Sequence, residues 1–204
     1  MKHSKIEFLK HVVGLFLFMF TIRVMANTSP ATEPSNEVQW GTEVHHSLFR
    51  MAFPFESPTC IKQMQRGSDE VDSVSHQFEA GLSYQHAMRA PTQSVESARL
   101  QMKQFIKETY YVARRLLSNG NQAQSCFERG RALHPVQDST SPAHEGFQVW
   151  DPIGNPSQIL EHGDQPFSQE TLAKLLADPD RLERTISLMR VVDANGISEG
   201  MSAL

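Results

Sequence analysis

The stretch Ala132–His144 (A-L-H-P-V-Q-D-S-T-S-P-A-H) places His134, Asp138 and His144 at i, i+4 and i+10. Residues four apart stack on one face of a helix, so His134 and Asp138 present an imidazole and a carboxylate to one point. A Ser/Thr/Pro turn follows, and His144 can return to the same place from the next segment. Neutral imidazole and carboxylate are ligands that suit zinc, so the stretch reads as a metal site open to catalysis.

Other residues of the same chemistry are spread along the chain. His45, His46, His76, His86 and His162 accompany His134 and His144 beyond residue 26. Asp69 and Asp72 lie in an acidic G-S-D-E-V-D segment. Glu43, Glu145 and Asp69 are candidates to orient imidazoles, with solvated surface as the alternative. His46 and His76 read as surface or outer residues. Phe147 and Trp150 are candidates for a substrate cleft or for the core.

The elements that must position these groups are helical. From Trp40, the residues His45, Leu48, Phe49 and Ala52 recur at helical spacing. Ser57-Pro58 supplies an N-cap and first position, and Gly67 a stop. Ser68 to Pro91 reads as loop-rich. Val95 to Leu117 is the clearest helix, with Val95, Ala98, Met102, Phe105, Thr109, Val112 and Leu116 on one face and Ser118-Asn119-Gly120 ending it. Gln122 to Asp138 follows, with Pro135 predicting a kink or loosening. Two more helices are expected, Ser168 to Ala177 and Asp178 to Asp193. With no alternating strand pattern and no internal repeat, the expectation is one all-α domain.

The first residues fall outside that domain. Lys2, Lys5 and Lys10 precede an apolar stretch, Val12 to Ile22, and Val24-Met25-Ala26 fits cleavage after Ala26. Residues 1–26 therefore read as a signal peptide, which implies a secreted or periplasmic protein. Residues 27–39 (N-T-S-P-A-T-E-P-S-N-E-V-Q) read as a disordered leader or pro-segment. The whole chain has 19 basic and 23 acidic residues; removing residues 1–26 leaves 15 against 22, a net charge of about −7. Such a balance disfavours nonspecific grip on duplex phosphates. Cys60 and Cys126 are the only cysteines. They are read as a disulfide, allowed in an oxidising compartment, or as two separately buried thiols.

W-G-x-x-x-H at Trp40–His45, Asp72 with His86 fourteen residues on, and H-x-x-x-D-x-x-x-x-x-H at His134–His144 together resemble the zinc-dependent phospholipase C and single-strand-specific nuclease superfamily. The resemblance spans roughly Trp40 to His162. It implies an all-helical fold with two or three zinc ions in a cleft, over residues 40–204. Asp72, His86, His134 and Asp138 would hold one ion. Asp138 would bridge to a second, held also by His45 and the backbone of Trp40, whose amino group becomes available if residues 27–39 are removed. His144 and His162 would hold a third, completed in the family by an acidic residue four positions on. Pro166 stands there in this chain, and Glu161 and Asp164 are the nearby carboxylates. Asp72 would accept a hydrogen bond from the attacking water or act as general base.

The activity this implies is phosphodiester hydrolysis, of the phospholipase C type, by metal-activated water attacking phosphorus. The alternatives are a single-strand-specific nuclease, which needs aromatic platforms for bases, and an exported module that binds zinc without turnover. The implied partner is a phospholipid head group or other phosphodiester, with peripheral membrane contact; nucleic acid is a partner only under the nuclease alternative.

Overall fold

Side-chain caps start most of the helices. Ser57 accepts from Cys60 N, Ser94 from Ser97 N, Asn121 from Gln124 N and Thr171 from Lys174 N, each satisfying an amide left open at a helix start. The computed structural model describes residues 41–73, 79–158 and 171–195, all within one compact unit, Glu37–Leu204. Its helices are α1 (Thr42–Ala52), α2 (Pro58–Val71), α3 (Val95–Ser118), α4 (Gln122–Asp138), α5 (Leu172–Leu176) and α6 (Pro179–Asn195). A 3-10 helix, Ala80–His86, lies between α2 and α3. No strand occurs among the described residues, only a single parallel bridge between Arg89 and Val149. The protein is all-α. The expected signal peptide, the leader and Trp40 lie outside the described residues, and none of the described helices is long and apolar enough to cross a membrane.

α4 is the central element, packed against α1, α2, α3 and α6. Its last turns, from Ala132 to Asp138, are buried at every position. A helix enclosed on all sides has no polar face to spare, so its polar residues there must be partnered inside the protein. Leu48, Phe49, Met64, Met102, Ile106, Leu133 and Met189 form the apolar body around it.

Two expectations about the helices are corrected. Gly67 does not stop α2, which runs on to Val71. A Cβ on Gly67 would lie 2.0 Å from the Phe127 carbonyl oxygen, and one on Gly130 would lie 1.9 Å from that of Met64. The glycines are there because α2 and α4 touch backbone to backbone. The Cys60–Cys126 disulfide, one of the two readings of these cysteines, joins the same two helices across 66 residues; closing such a loop is worth about 4 kcal/mol in the chain-entropy model.

Along α3 the buried stripe is Ala98, Met102, Ile106, Thr109, Tyr110 and Ala113. Val95 and Val112, expected on it, are 36% and 42% exposed. Packing against α4 and the 3-10 helix selects Ile106 and Ala113 instead. The helix expected over Gln122 to Asp138 is present with those bounds, and it runs through Pro135. The proline removes one amide donor, which leaves the face shared by His134 and Asp138 intact.

Candidate metal centre

Five elements each bring a side chain to one buried place. His45 comes from α1, Asp72 caps the C-terminus of α2, and His86 ends the 3-10 helix. His134 and Asp138 lie one helical turn apart at the end of α4. Successive turns then bring the chain round, with Ser141 N donating to Asp138 O and His144 N to Ser141 O. The segments after His86 and His144 are pinned together, Arg89 N donating to Gln148 O at 3.0 Å and Trp150 N to Arg89 O at 2.9 Å.

Asp138 is the hub. Its carboxylate lies 3.0 Å from His134 Nε2, 3.4 Å from His86 Nδ1, 3.5 Å from His45 Nε2 and 4.0 Å from His144 Nδ1. Asp72 closes the other side, 3.3 Å from His134 Nε2 and 3.7 Å from both His45 Nε2 and His86 Nδ1. None of the six residues is more than 8% exposed. Their atoms form two groups able to hold an ion, His45/His134/Asp138 and Asp72/His86/His134, each with ligand atoms within 4.8 Å of one another.

Ring nitrogens of three of these histidines are anchored by hydrogen bonds. His45 Nδ1 donates to Gln137 Oε1 at 2.5 Å, and the Gln137 amide nitrogen donates back to the His45 carbonyl at 3.4 Å, which fixes the way the amide faces. Ser68 Oγ meets His134 Nδ1 at 3.0 Å, and His144 Nδ1 donates to the His86 carbonyl. With Nδ1 of His45 directed at Gln137, Nε2 faces the two carboxylates at 3.5 and 3.7 Å. Two buried carboxylates at such range call for positive charge, which a bound metal cation would supply. His86 Nε2 and Asp138 Oδ1 are buried without a hydrogen-bond partner among the described residues. An all-nitrogen-and-oxygen donor set with anchored imidazoles can hold a divalent metal ion.

The protonation states agree with that fit. Burial pushes the His86 and His134 imidazoles below their ordinary value, outweighing the pull of Asp138. Burial would raise the Asp138 carboxyl, but the facing His134 and His144 and the hydrogen bonds from His134 and His86 hold it well below the usual carboxylate range. Neutral imidazole and ionised carboxylate are the forms that bind metal.

Ser68, His134 and Asp138 also form a hydrogen-bonded chain in the order of a serine nucleophile, base and carboxylate. Ser68 is wholly buried, so no substrate carbonyl reaches its hydroxyl, and the contact orients His134 rather than activating Ser68.

The structure thus brings together His45, Asp72, His86, His134, Asp138 and His144. Trp40, His76, Glu161, His162 and Asp164 lie outside the described residues. His46, next to His45 on α1, is paired with Asp69 of α2, which accepts from it at 2.7 Å. Glu145 faces Arg181 and Arg184, at 3.9 and 3.7 Å. Gln137 and Ser68 are the contributors that sequence reasoning passed over. Gln137 carried one signal, a polar residue directly before Asp138 in a helix end that is otherwise apolar where it is not ligating; Ser68 carried none. Neither family models nor curated proteins nor solved structures give a match to this chain.

Proposed function

We propose that this protein is a zinc-dependent phosphodiester hydrolase of the phospholipase C type, exported through residues 1–26 and holding two or three zinc ions. The observation that carries the reading is Asp138, a buried carboxylate within 4.0 Å of four imidazoles, with Asp72 opposite. His45, Asp72, His86, His134 and Asp138 would hold two ions; His144, with His162 and Glu161 or Asp164, would hold a third. Bound zinc supplies acidity to water and positive charge to phosphoryl oxygens near neutral pH. Asp72 is the carboxylate suited to take the attacking water's proton as well as to ligate. The absence of a cysteine pair from the donor set favours an open catalytic site over a closed structural one.

Elemental mass spectrometry of the purified exported protein tests the metal, with two or three zinc ions per chain expected. Parallel assays on a phosphocholine ester and on single-stranded DNA, with and without chelator, test the reaction. Chelator-sensitive release of the head group is expected; cleavage of DNA alone would select the nuclease reading. Asp72→Asn is expected to lower the rate at least a hundredfold with the fold retained, whereas a zinc-binding module without turnover would show no rate to lose.

A further inference from the structure

Away from the histidine cluster, a cavity of about 420 Å3 opens between α3, the turns that follow Asp138, and α6. Arg99 and Arg184 supply its charge, and Phe147, Leu188 and Val191 its apolar wall. The volume falls in the range of small-molecule sites, roughly 300–1,000 Å3. The Arg99 guanidinium carbon stands 5.5 Å from the centre of the Phe147 ring, and its Nε is buried with no hydrogen-bond partner among the described residues. Stacking on the ring orients the fork of donors while leaving them available to an anion.

The competing carboxylates hold these arginines loosely. Glu96 lies 3.7 Å from Arg99 and Glu145 lies 3.7 Å from Arg184, all four side chains being 38–69% exposed. Contacts of that kind contribute little and yield to a better acceptor. The hydroxyls of Ser139 and Thr140, which also line the cavity, donate to the Val136 and Gln137 carbonyls. The two guanidiniums, whose planar forks match a phosphoryl group, and the exposed Ser187 hydroxyl are the donors that face an anion here.

The backbone fixes the aromatic wall of the cavity. Gly146 and Phe147 are both left-handed, at φ 80° and 57°. That conformation is costly for a bulky aromatic residue and is retained where the surroundings require it, ligand clamps among them. Here it sets the Phe147 ring beneath Arg99.

We propose that this cavity binds a phosphate ester carrying a short apolar body, with the phosphoryl group on Arg99 and Arg184 and the body along Phe147, Leu188 and Val191. The site is distinct from the histidine cluster and needs no metal. It adjoins the cluster through the chain, because Ser139 follows Asp138 directly and Gly146 lies two residues after His144. A bound ester therefore rests on the turns that carry those two side chains.

Calorimetric titration of the full chain with hexyl phosphate, and in parallel with inorganic phosphate, tests the proposal. Hexyl phosphate is expected to saturate and to bind at least tenfold tighter than inorganic phosphate. Arg99→Gln and Arg184→Gln should each weaken hexyl phosphate at least tenfold, and Val191→Asp, at a partly exposed position, should do the same. Absence of saturable binding overturns the site. Binding that survives both arginine substitutions also overturns it, since the phosphate would then be held elsewhere, the histidine cluster included. Equal affinity for the two probes overturns the apolar half of the assignment and leaves only an adventitious anion.

Discussion

Gln137 decides which nitrogen of His45 faces the carboxylates. Its Oε1 takes the Nδ1 proton, and its amide is held by the His45 carbonyl and, at 3.7 Å, by Met189 Sδ, so it cannot turn over without losing both. Under the zinc reading, Gln137→Leu is therefore expected to weaken metal binding about 10- to 100-fold, the usual cost of losing a residue that orients a metal-binding imidazole. Gln137→Glu keeps an acceptor and should retain most of the affinity. Competition with a chromophoric chelator measures both; equal affinity in Gln137→Leu and wild type would show that His45 is oriented by something else. The cluster was partly legible in the sequence. His134 and Asp138 announce themselves by type and by a four-residue spacing that any helix turns into a shared face. Gln137 sits one residue from Asp138 but acts on a side chain 92 positions away, and local periodicity carries no information about such a pairing. Ser68 is hidden for the same reason, being one serine among many until α2 is laid against α4.

Helix contacts explain how these residues stay in register. α2 carries Asp72 and α4 carries His134 and Asp138, and the two helices meet at Gly67 and Gly130 with no room for a methyl group. Gly130→Ala should push the helices apart and cost about 3 kcal/mol or more, because the obstacle is the Met64 backbone rather than a side chain that can swing aside. The urea midpoint of unfolding measures it; a loss under about 1 kcal/mol would mean that the helices slide past each other freely. In sequence, Gly67 looked like a helix stop, since a glycine that ends a helix and one that lets two helices touch are the same letter. At the far end of α6, Asp193 receives Arg129 through two hydrogen bonds, at 2.9 and 2.8 Å, and Tyr110 through one at 3.0 Å, while Arg129 also reaches Glu56 at 2.7 Å. This ties α3, α4, α6 and the loop before α2 together. Burial, and then the charge of Asp193, push the Tyr110 hydroxyl well above its ordinary value of 10.0. Below pH 10.0 both folded and unfolded chains keep that proton and the contribution is constant; above it the unfolded chain ionises first, so stability falls as pH rises. Tyr110→Phe should lose about 1 kcal/mol at neutral pH with the hydrogen bond, and should show a shallower decline from pH 10 to about 11 than wild type. Urea midpoints across that range compare the two; parallel declines would assign the alkaline loss to other groups.

At the scale of the whole molecule, residues 27–204 carry a net charge of about −7 (15 basic against 22 acidic residues), while the histidine cluster is enclosed among helices. An acidic body gains nothing from the field of a polyanionic surface. A neutral, zwitterionic surface imposes no such penalty, and apolar side chains then decide whether the protein stays there. Phe55, in the loop between α1 and α2, is 99% exposed, with exposed Pro54 before it. Single exposed apolar residues are common on folded proteins and need no explanation by themselves. Under the phospholipase reading this one has a use, because a phenylalanine on a loop can enter the boundary between head groups and acyl chains without disturbing the helices behind it. Partial burial of such a ring is worth about 1 to 2 kcal/mol, roughly a tenfold change in partitioning. Phe55→Ser should therefore slow hydrolysis of phosphatidylcholine vesicles several-fold and leave hydrolysis of a short-chain, monomeric phosphocholine ester unchanged. The comparison separates docking from chemistry, since both substrates present the same bond to the same side chains. An equal loss on the two substrates would move Phe55 from the surface to the folding of its loop. No loss on either would leave the acidic body without this contact to a lipid surface and strengthen the case for a soluble phosphodiester as substrate.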